Sequence, residues 1–504
     1  MLRRLLDLPL LVILMGIGAA AMYLPAAHAL VLRDHAVARP FLYGGTILLI
    51  LAAMIGIATA NHRPRNAARS HLAALLGAYL VLPVMLALPF DQAVRDTSFL
   101  NAWFEMLSSF TTTGATLYDT PGRLPPSVHL WRALVGWLGG FFVLLTAVAV
   151  LSPLNLGGAE VISGQTPGRG TTQITRIAEP SERITRYALL LFPAYGGLTL
   201  LLWVLLLLRG ENGLVALCHA MGTLSTSGIS PIAGLPASGT GFAGEALVFL
   251  FLVFAVTRRF LPGALVGDRN LPLTQDPEIR MAVFFVAAVT AVLFLRHWVG
   301  AIEQAEGKDL PAFLAALWGA AFTTLSFLTT TGYVSADWAS SRVWSGLDTP
   351  GLILLGLAIV GGGVATTAGG VKLLRVYALF RHGQREMERL IHPHSIGGAG
   401  YAARRLRREG AYVAWIFFML FAISIAIVNG ALGLAGIGFD AGIVLSIAAL
   451  TTTGPLAAVA TETPISYAEL GASAKVILGL AMILGRMETL ALVALLAPDS
   501  WRRR

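Results

Sequence analysis

Charge is what this chain has least of. Of its 504 residues, 12% are Asp, Glu, Lys or Arg and 56% are hydrophobic, whereas a soluble domain carries about 25% charge. That deficit excludes a water-soluble globular protein. Cysteine is nearly missing too: Cys218 stands alone, so the chain can form no internal disulfide and no cysteine-built metal cluster. His382, His392 and His394 crowd one arginine-rich stretch, but they lack the cysteines and nearby carboxylates that would complete a zinc site. No HExxH and no Gly-x-Ser-x-Gly falls within an apolar run, which argues against an intramembrane enzyme. No covalently bound cofactor is expected. No nucleotide-binding glycine fingerprint follows a strand-like run, so any nucleotide control must come from another chain.

What is there is apolar length. Runs long enough to cross a bilayer core of roughly 30 Å lie near 8–31, 41–60, 71–90, 130–152, 185–208, 242–265, 278–298, 350–379, 411–433 and 472–497. They are expected to be helices, because an unpaired backbone group in lipid costs several kcal/mol. The fold class is therefore an all-α integral membrane protein. The formal net charge of +9 raises nucleic acid as a partner, but its placement argues against that. Basic clusters at Arg3–Arg4, Arg63–Arg69, Arg169–Arg186, Arg258–Arg280, Arg375–Arg408 and Arg502–Arg504 alternate with loops poor in arginine and lysine. That is the positive-inside pattern, with both termini cytoplasmic and basic loops suited to an acidic partner or anionic lipid. Arg3-Arg4, the apolar stretch and Ala27-His28-Ala29 also fit a cleavable signal. A retained first helix is the expectation, because the stretch is long for a signal and an even number of spans returns the C-terminal arginines to the cytoplasm.

Four hydroxyl-and-glycine segments punctuate these runs: Thr111-Thr112-Thr113-Gly114, Ser225-Thr226-Ser227-Gly228, Thr329-Thr330-Thr331-Gly332 and Thr451-Thr452-Thr453-Gly454. They recur about every 110 residues, the mark of an internal repeat. Short apolar helices near 98–110, 213–224, 310–328 and 438–450 precede them and enter the membrane without crossing it. The division that follows is two N-terminal helices (1–69), then repeats with their loops at 70–184, 185–276, 277–410 and 411–504. The quarters are not identical. Nine residues before each glycine stand Glu105, His219, Thr323 and Leu445.

A dehydrated monovalent cation needs several oxygens at once, and backbone carbonyls supply them if an extended segment turns them inward. Glycine permits such backbone, and hydroxyls satisfy neighbouring groups or extend the oxygen ring. Each half-helix ends at the segment, so its negative dipole end points at the cation. The expected filter residues are Thr112, Thr113, Gly114, Thr226, Ser227, Gly228, Thr330, Thr331, Gly332, Thr452, Thr453 and Gly454, with the transported monovalent cation held there. One such turn would mean only tight helix packing; four at matching positions point to a pore.

Two features bear on the path below the filter. Residues Gly361 to Gly370 are glycine-rich (Gly361, Gly362, Gly363, Gly369 and Gly370, with Thr366 and Thr367), and each glycine costs a helix about 1 kcal/mol relative to alanine. Such a stretch is expected to leave the helix and cross the cavity below the filter; a permanent packing kink is the alternative. Arg486 falls inside the last apolar run, where a charge faces a cavity or a partner. The first option makes it a barrier to cations, and the second pairs it with Glu105 or another carboxylate.

These motifs resemble the Trk/Ktr/HKT superfamily of potassium transporters, and within it the bacterial TrkH type. The resemblance rests on Trp103-Phe104-Glu105 leading into the first segment, Trp131-Arg132 with Gly136-Trp137-Leu138-Gly139-Gly140, Gly361-Gly362-Gly363 with Ala368-Gly369-Gly370-Val371-Lys372, and Leu484-Gly485-Arg486-Met487-Glu488. Two departures stand out. Gly454-Pro455-Leu456 replaces an asparagine-containing fourth filter, and Ala368 stands where glycine is common. The resemblance implies four pseudo-repeats of helix, pore helix, filter and helix around one pore. It further implies potassium uptake across the bacterial inner membrane through a channel-like pore, with an intramembrane gate in unit three. Gly114 suggests potassium, since serine there marks sodium-carrying plant relatives. The implied partners are a second copy in a homodimer, membrane lipid, and a cytosolic ring of nucleotide-binding regulatory subunits of the TrkA type. A sodium-permeable or ion-coupled cotransporter of the same fold is the competing reading, although coupled carriers show inverted pairs and these units share one orientation.

Overall fold

Apolar length and helix breakers together decide which segments cross. The computed structural model describes residues 9–60, 67–154, 156, 158, 180–260, 272–301, 310–345, 350–392 and 408–496. In chain order the helices are α1 (Leu10–Val31), α2 (His35–Thr59), α3 (Ala67–Ala93), α4 (Phe99–Phe110), α5 (Pro126–Thr146), α6 (Pro180–Leu208), α7 (Gly213–Leu224), α8 (Gly241–Val256) and α9 (Pro277–Ala301). There follow α10 (Leu310–Leu328), α11 (Trp338–Ser345), α12 (Gly351–Val360), α13 (Leu373–Ile391), α14 (Arg408–Leu434), α15 (Phe439–Leu450), the single turn α16 (Leu456–Val459), α17 (Ala472–Met487) and α18 (Thr489–Leu496). Among the described residues there is no strand. The protein is an all-helical, multi-pass membrane protein.

Seven of the ten expected spans are helices long and apolar enough to cross. The other three are not continuous spanning helices. The run near 242–265 holds the 16-residue α8. The run near 350–379 is split into α12 and α13 by the glycine-rich stretch. The last run is interrupted at Glu488, whose left-handed φ of 60° separates α17 from α18. The expected basic segments at 3–4, 169–179 and 502–504, and His394, lie outside the described residues.

Local chemistry sets the helix starts. Ser98 Oγ accepts from the Asn101 amide at 3.3 Å and opens α4, and Asn212 Oδ1 accepts from the Leu214 amide at 3.1 Å and opens α7; such caps satisfy amides that have no partner inside the helix. Pro126, in the first turn of α5, lacks the amide that would otherwise go unpaired there.

The span Pro126–Leu151 has 72% of its most apolar window buried, against 22% for Pro277–Phe294. The first therefore belongs to the centre and the second to the lipid face. Glycines explain how α5 comes so close. A side chain at Gly139 would collide with the Phe110 carbonyl at the end of α4, and one at Gly140 would lie 2.7 Å from Ser225 Cβ, just past α7. Gly485 on α17 does the same against the Leu450 carbonyl that ends α15. α1 and α2 dock on this centre through Phe41, whose ring meets Trp131 edge-on at 5.5 Å, while Trp131 donates to the Leu86 carbonyl at 3.3 Å. Ile47, Leu189, Val283, Phe284 and Ile427 remain exposed, a surface suited to hydrocarbon.

Candidate functional site

α4, α7, α10 and α15 end alike. In each, the amide of the second residue of the hydroxyl segment bonds three residues back, and that of the third bonds five back. The pairs are Thr112 to Ser109 with Thr113 to Ser108, Thr226 to Thr223 with Ser227 to Gly222, Thr330 to Phe327 with Thr331 to Ser326, and Thr452 to Ala449 with Thr453 to Ala448. This is the Schellman termination, whose left-handed residue is usually glycine. Here it is threonine, at φ 54°, 53°, 58° and 53° for Thr112, Thr226, Thr330 and Thr452. A β-branched residue is an outlier in that region, so its presence in all four quarters argues that the hydroxyl is what the site needs.

The segments are therefore not the extended strands expected. Left-handed φ at the second residue, and again at Gly114, Gly228 and Gly332, alternates with ordinary φ at the third. Such alternation turns successive carbonyls towards one side. The first and third hydroxyls lock each turn. Thr111, Ser225, Thr329 and Thr451 donate to the carbonyls of Leu107, Met221, Leu325 and Ile447 at 2.7 to 3.0 Å. They also meet the hydroxyls of Thr113, Ser227, Thr331 and Thr453 at 2.8 to 3.2 Å.

The four segments close into a cycle. A side chain at Gly114 would strike the Ser227 carbonyl of quarter two, one at Gly228 the Thr331 carbonyl of quarter three, and one at Gly332 the Pro455 ring of quarter four. Quarter four returns to quarter one, since the Gly454 amide donates to the Thr113 carbonyl at 2.6 Å. That bond also sets quarter four apart. Gly454 is not left-handed, and its own carbonyl accepts from Tyr467 at 2.9 Å.

Behind the ring, the side chains nine residues before each glycine act as braces. Glu105 accepts from the Leu117 amide at 3.0 Å, His219 meets Ser230 Oγ at 2.9 Å, and Thr323 accepts from the Ser335 amide at 3.4 Å. Leu445 has nothing to offer. Glu105 is ion-paired with Arg132 at 2.6 Å, both buried. Nearby, Tyr118 donates to Thr97 Oγ at 3.0 Å, and burial pushes its phenol up to about 12, so it stays protonated as a donor at neutral pH.

Residues Gly361 to Gly370 pass under this ring as a buried, non-helical loop. The Gly363 amide donates to the Ala255 carbonyl at 3.0 Å, and Thr366 Oγ donates to the same carbonyl at 3.1 Å. Thr367 Oγ donates to the Leu224 carbonyl at the end of α7 at 3.1 Å, and the Val364 amide donates to Glu278 at 2.7 Å. The Gly369 amide donates to Thr330 Oγ at 2.7 Å, so the loop touches the ring itself. Gly369 must be glycine, because a side chain there would strike the Thr451 carbonyl. Gly362 lies against Ala368 and the Ala255 carbonyl; Gly361 and Gly370, at φ 73° and 75°, pack against each other where the loop leaves and rejoins.

Arg486 joins this layer. Its guanidinium donates to Thr112 Oγ, and it lines one cavity with Tyr79, Thr366, Gly369 and Lys372. Glu105, the carboxylate expected to pair with it, is not its partner. Glu105 is held by Arg132, and Glu488 by Arg375 at 2.8 Å; among the described residues no carboxylate pairs with Arg486.

Over residues 40–502 the sequence matches the TrkH family profile, described as cation transport protein. This chain belongs to the TrkH family. It is 28% identical to the Trk system potassium uptake protein TrkH of Vibrio parahaemolyticus serotype O3:K6 (strain RIMD 2210633), over 97% of this chain and 98% of that protein. It is 27% identical to the protein of the same name from Escherichia coli (strain K12), over 98% of each. The crystal structure of the potassium transporter TrkH from Vibrio parahaemolyticus superposes with a TM-score of 0.80 at 26% identity, covering the whole of both chains.

Within this TrkH-family chain the structure adds residues that sequence reasoning passed over. Glu245 on α8 accepts from Ser335 Oγ at 2.6 Å, the Ala336 amide at 2.7 Å and Trp318 at 2.8 Å, bracing quarter three. A lone acid inside the apolar run Gly241–Val256 was the available signal. Lys372, quoted above only as part of a motif, donates to the Ala368 carbonyl, while Glu278 and Tyr467 carried no comparable signal.

Proposed function

We propose that this TrkH-family protein is the membrane-spanning, ion-conducting component of a potassium uptake system, and not an enzyme. The observation that carries the reading is the closed cycle of four hydroxyl-glycine turns at the ends of four half-helices, with the glycine-rich loop bonded to its underside through Gly369 and Thr330. Four helix ends with their negative poles converging favour a cation, and backbone oxygens suit one that sheds its water. K+ is held at the residues 112–114, 226–228, 330–332 and 452–454, and the loop from 361 to 370 with Arg486 forms the gate. Potassium is favoured over sodium by the relatives named above, each a potassium uptake protein.

In the same reading the protein sits in the bacterial inner membrane with both termini cytoplasmic. It assembles as a homodimer and is controlled by a cytosolic nucleotide-binding subunit of the TrkA type. The basic stretches between spans support this orientation, and the Trk system named for the relatives implies further components. Purified protein in liposomes tests the whole. Potassium flux down its gradient, exceeding sodium flux and needing no second ion, is expected. Flux that requires a sodium or proton gradient would replace the pore with a coupled carrier.

A further inference from the structure

Quarter four carries a proline directly after its glycine, and that proline reaches further than its own quarter. A side chain carbon placed on Gly332, the preceding quarter, would lie 2.7 Å from Pro455 Cγ. One on Gly114, the following quarter, would lie 3.9 Å from Pro455 Cδ, and one on Gly228, the quarter opposite, 3.7 Å from Pro455 Cγ. A ring of quarter four that side-chain carbons placed on all three other quarters would touch points towards the axis of the cycle. It lies at the end away from the loop, because the hydroxyls of Thr112 and Thr330 meet Arg486 and Gly369 two residues before the glycines.

The local backbone holds it there. Pro455 starts α16 at φ −59°, the angle its own ring fixes. The Gly454 amide is tied to the Thr113 carbonyl on one side, and the Gly454 carbonyl to Tyr467 on the other. Quarter four thus gives its outer layer an apolar ring where an inward carbonyl would stand.

We propose that Pro455 is a specificity-determining residue, an apolar collar at the outer mouth of the filter that restricts passage by cation size. The proposal rests on the potassium-conducting reading and goes beyond it. A collar acts on radius: it slows every cation and excludes rubidium and caesium more than potassium. Pro455→Ala keeps the backbone angle, which alanine adopts freely, and removes the ring.

Full-length protein in liposomes gives the test. Pro455→Ala is expected to raise potassium flux and to increase the caesium-to-potassium flux ratio at least threefold. Pro455→Cys asks the same question by a second route, because the chain's other cysteine, Cys218, is fully buried. A membrane-impermeant thiol reagent added outside is expected to block flux through that variant and not through the unmodified protein. An unchanged ratio in a conducting Pro455→Ala protein, or modification of Pro455→Cys that leaves flux intact, would overturn the collar alone. Absence of cation flux in the unmodified protein would remove the conduction reading and the collar with it.

Discussion

In quarters one, two and three, a polar side chain nine residues before the glycine reaches forward to the segment beyond it; in quarter four Leu445 occupies that place. Its brace comes from elsewhere. Tyr467 holds the Gly454 carbonyl, and Gly454 donates to the Thr113 carbonyl of quarter one. The four Schellman turns are alike in backbone and unlike in support. The difference teaches that the turn geometry comes from the segment itself, since its own first and third hydroxyls and the helix end suffice to build it in all four quarters. The braces fix where each turn sits against its neighbour, and any side chain long enough and polar enough can serve.

The sharpest way to break this comparison is at the Glu105–Arg132 ion pair. Arg132→Ala leaves the Glu105 carboxylate buried at 1% exposure with its charge unpaired, a loss of about 3 to 5 kcal/mol. Thermal stability and yield of folded protein are expected to fall markedly. The double variant Glu105→Leu with Arg132→Met copies the apolar solution of quarter four, and is expected to be more stable than Arg132→Ala. A double variant no better than the single would show that quarter one cannot dispense with a polar brace.

Gly114→Ser probes the backbone. Gly114 has φ 71° and sits against the Ser227 carbonyl, so a side chain meets both a left-handed cost of about 1 to 2 kcal/mol and a collision. The oxygen ring must shift at that quarter. The potassium-to-sodium flux ratio is expected to drop by about tenfold, the factor that 1.4 kcal/mol of differential binding produces. Unchanged ion ratios in reconstituted vesicles would remove Gly114 from the filter.

Below the ring, the comparison is between Thr112, capped by Arg486, and Thr330, capped by Gly369. Arg486→Ala removes a charge from the cavity without orphaning a carboxylate, since Glu105 and Glu488 have other partners. Flux per folded protein is expected to rise severalfold, with Arg486→Lys close to the unmodified protein. Shortening the loop within 361–370 should raise flux too, and weaken regulation. A variant with poor stability and unchanged flux would assign Arg486 to structure instead.

The turns and the loop were legible in sequence because each is local. Hydroxyls and a glycine after a short apolar helix, or glycines massed inside a span, announce their effect within ten residues. Their conformation was less so: an extended strand was expected, yet the helix ends impose left-handed threonine, which composition alone disfavours. The supports were illegible for a different reason. Glu245 meets Ser335 across 90 residues and Arg375 meets Glu488 across 113, and only packing chooses such partners. The left-handed Glu488 that ends α17 likewise has no glycine or proline to betray it.

The smallest effect is expected where quarter four makes up for its missing brace. Tyr467→Phe keeps the ring that packs 5.9 Å from Phe104 and removes only the hydroxyl that donates to the Gly454 carbonyl. A net hydrogen bond contributes about 1 kcal/mol, so the melting temperature is expected to fall slightly, far less than for Arg132→Ala. The carbonyl keeps the Ala457 amide at 3.2 Å but loses its nearer donor, and it is buried beside the ring, where a cation is a strong partner for the vacant lone pair. The apparent KM for potassium uptake is therefore expected to decrease by a few-fold, with the maximal rate little changed. If stability falls and KM stays where it was, the hydroxyl is a brace and nothing more, and the asymmetry of quarter four would then lie in its support alone and not in how it meets the ion.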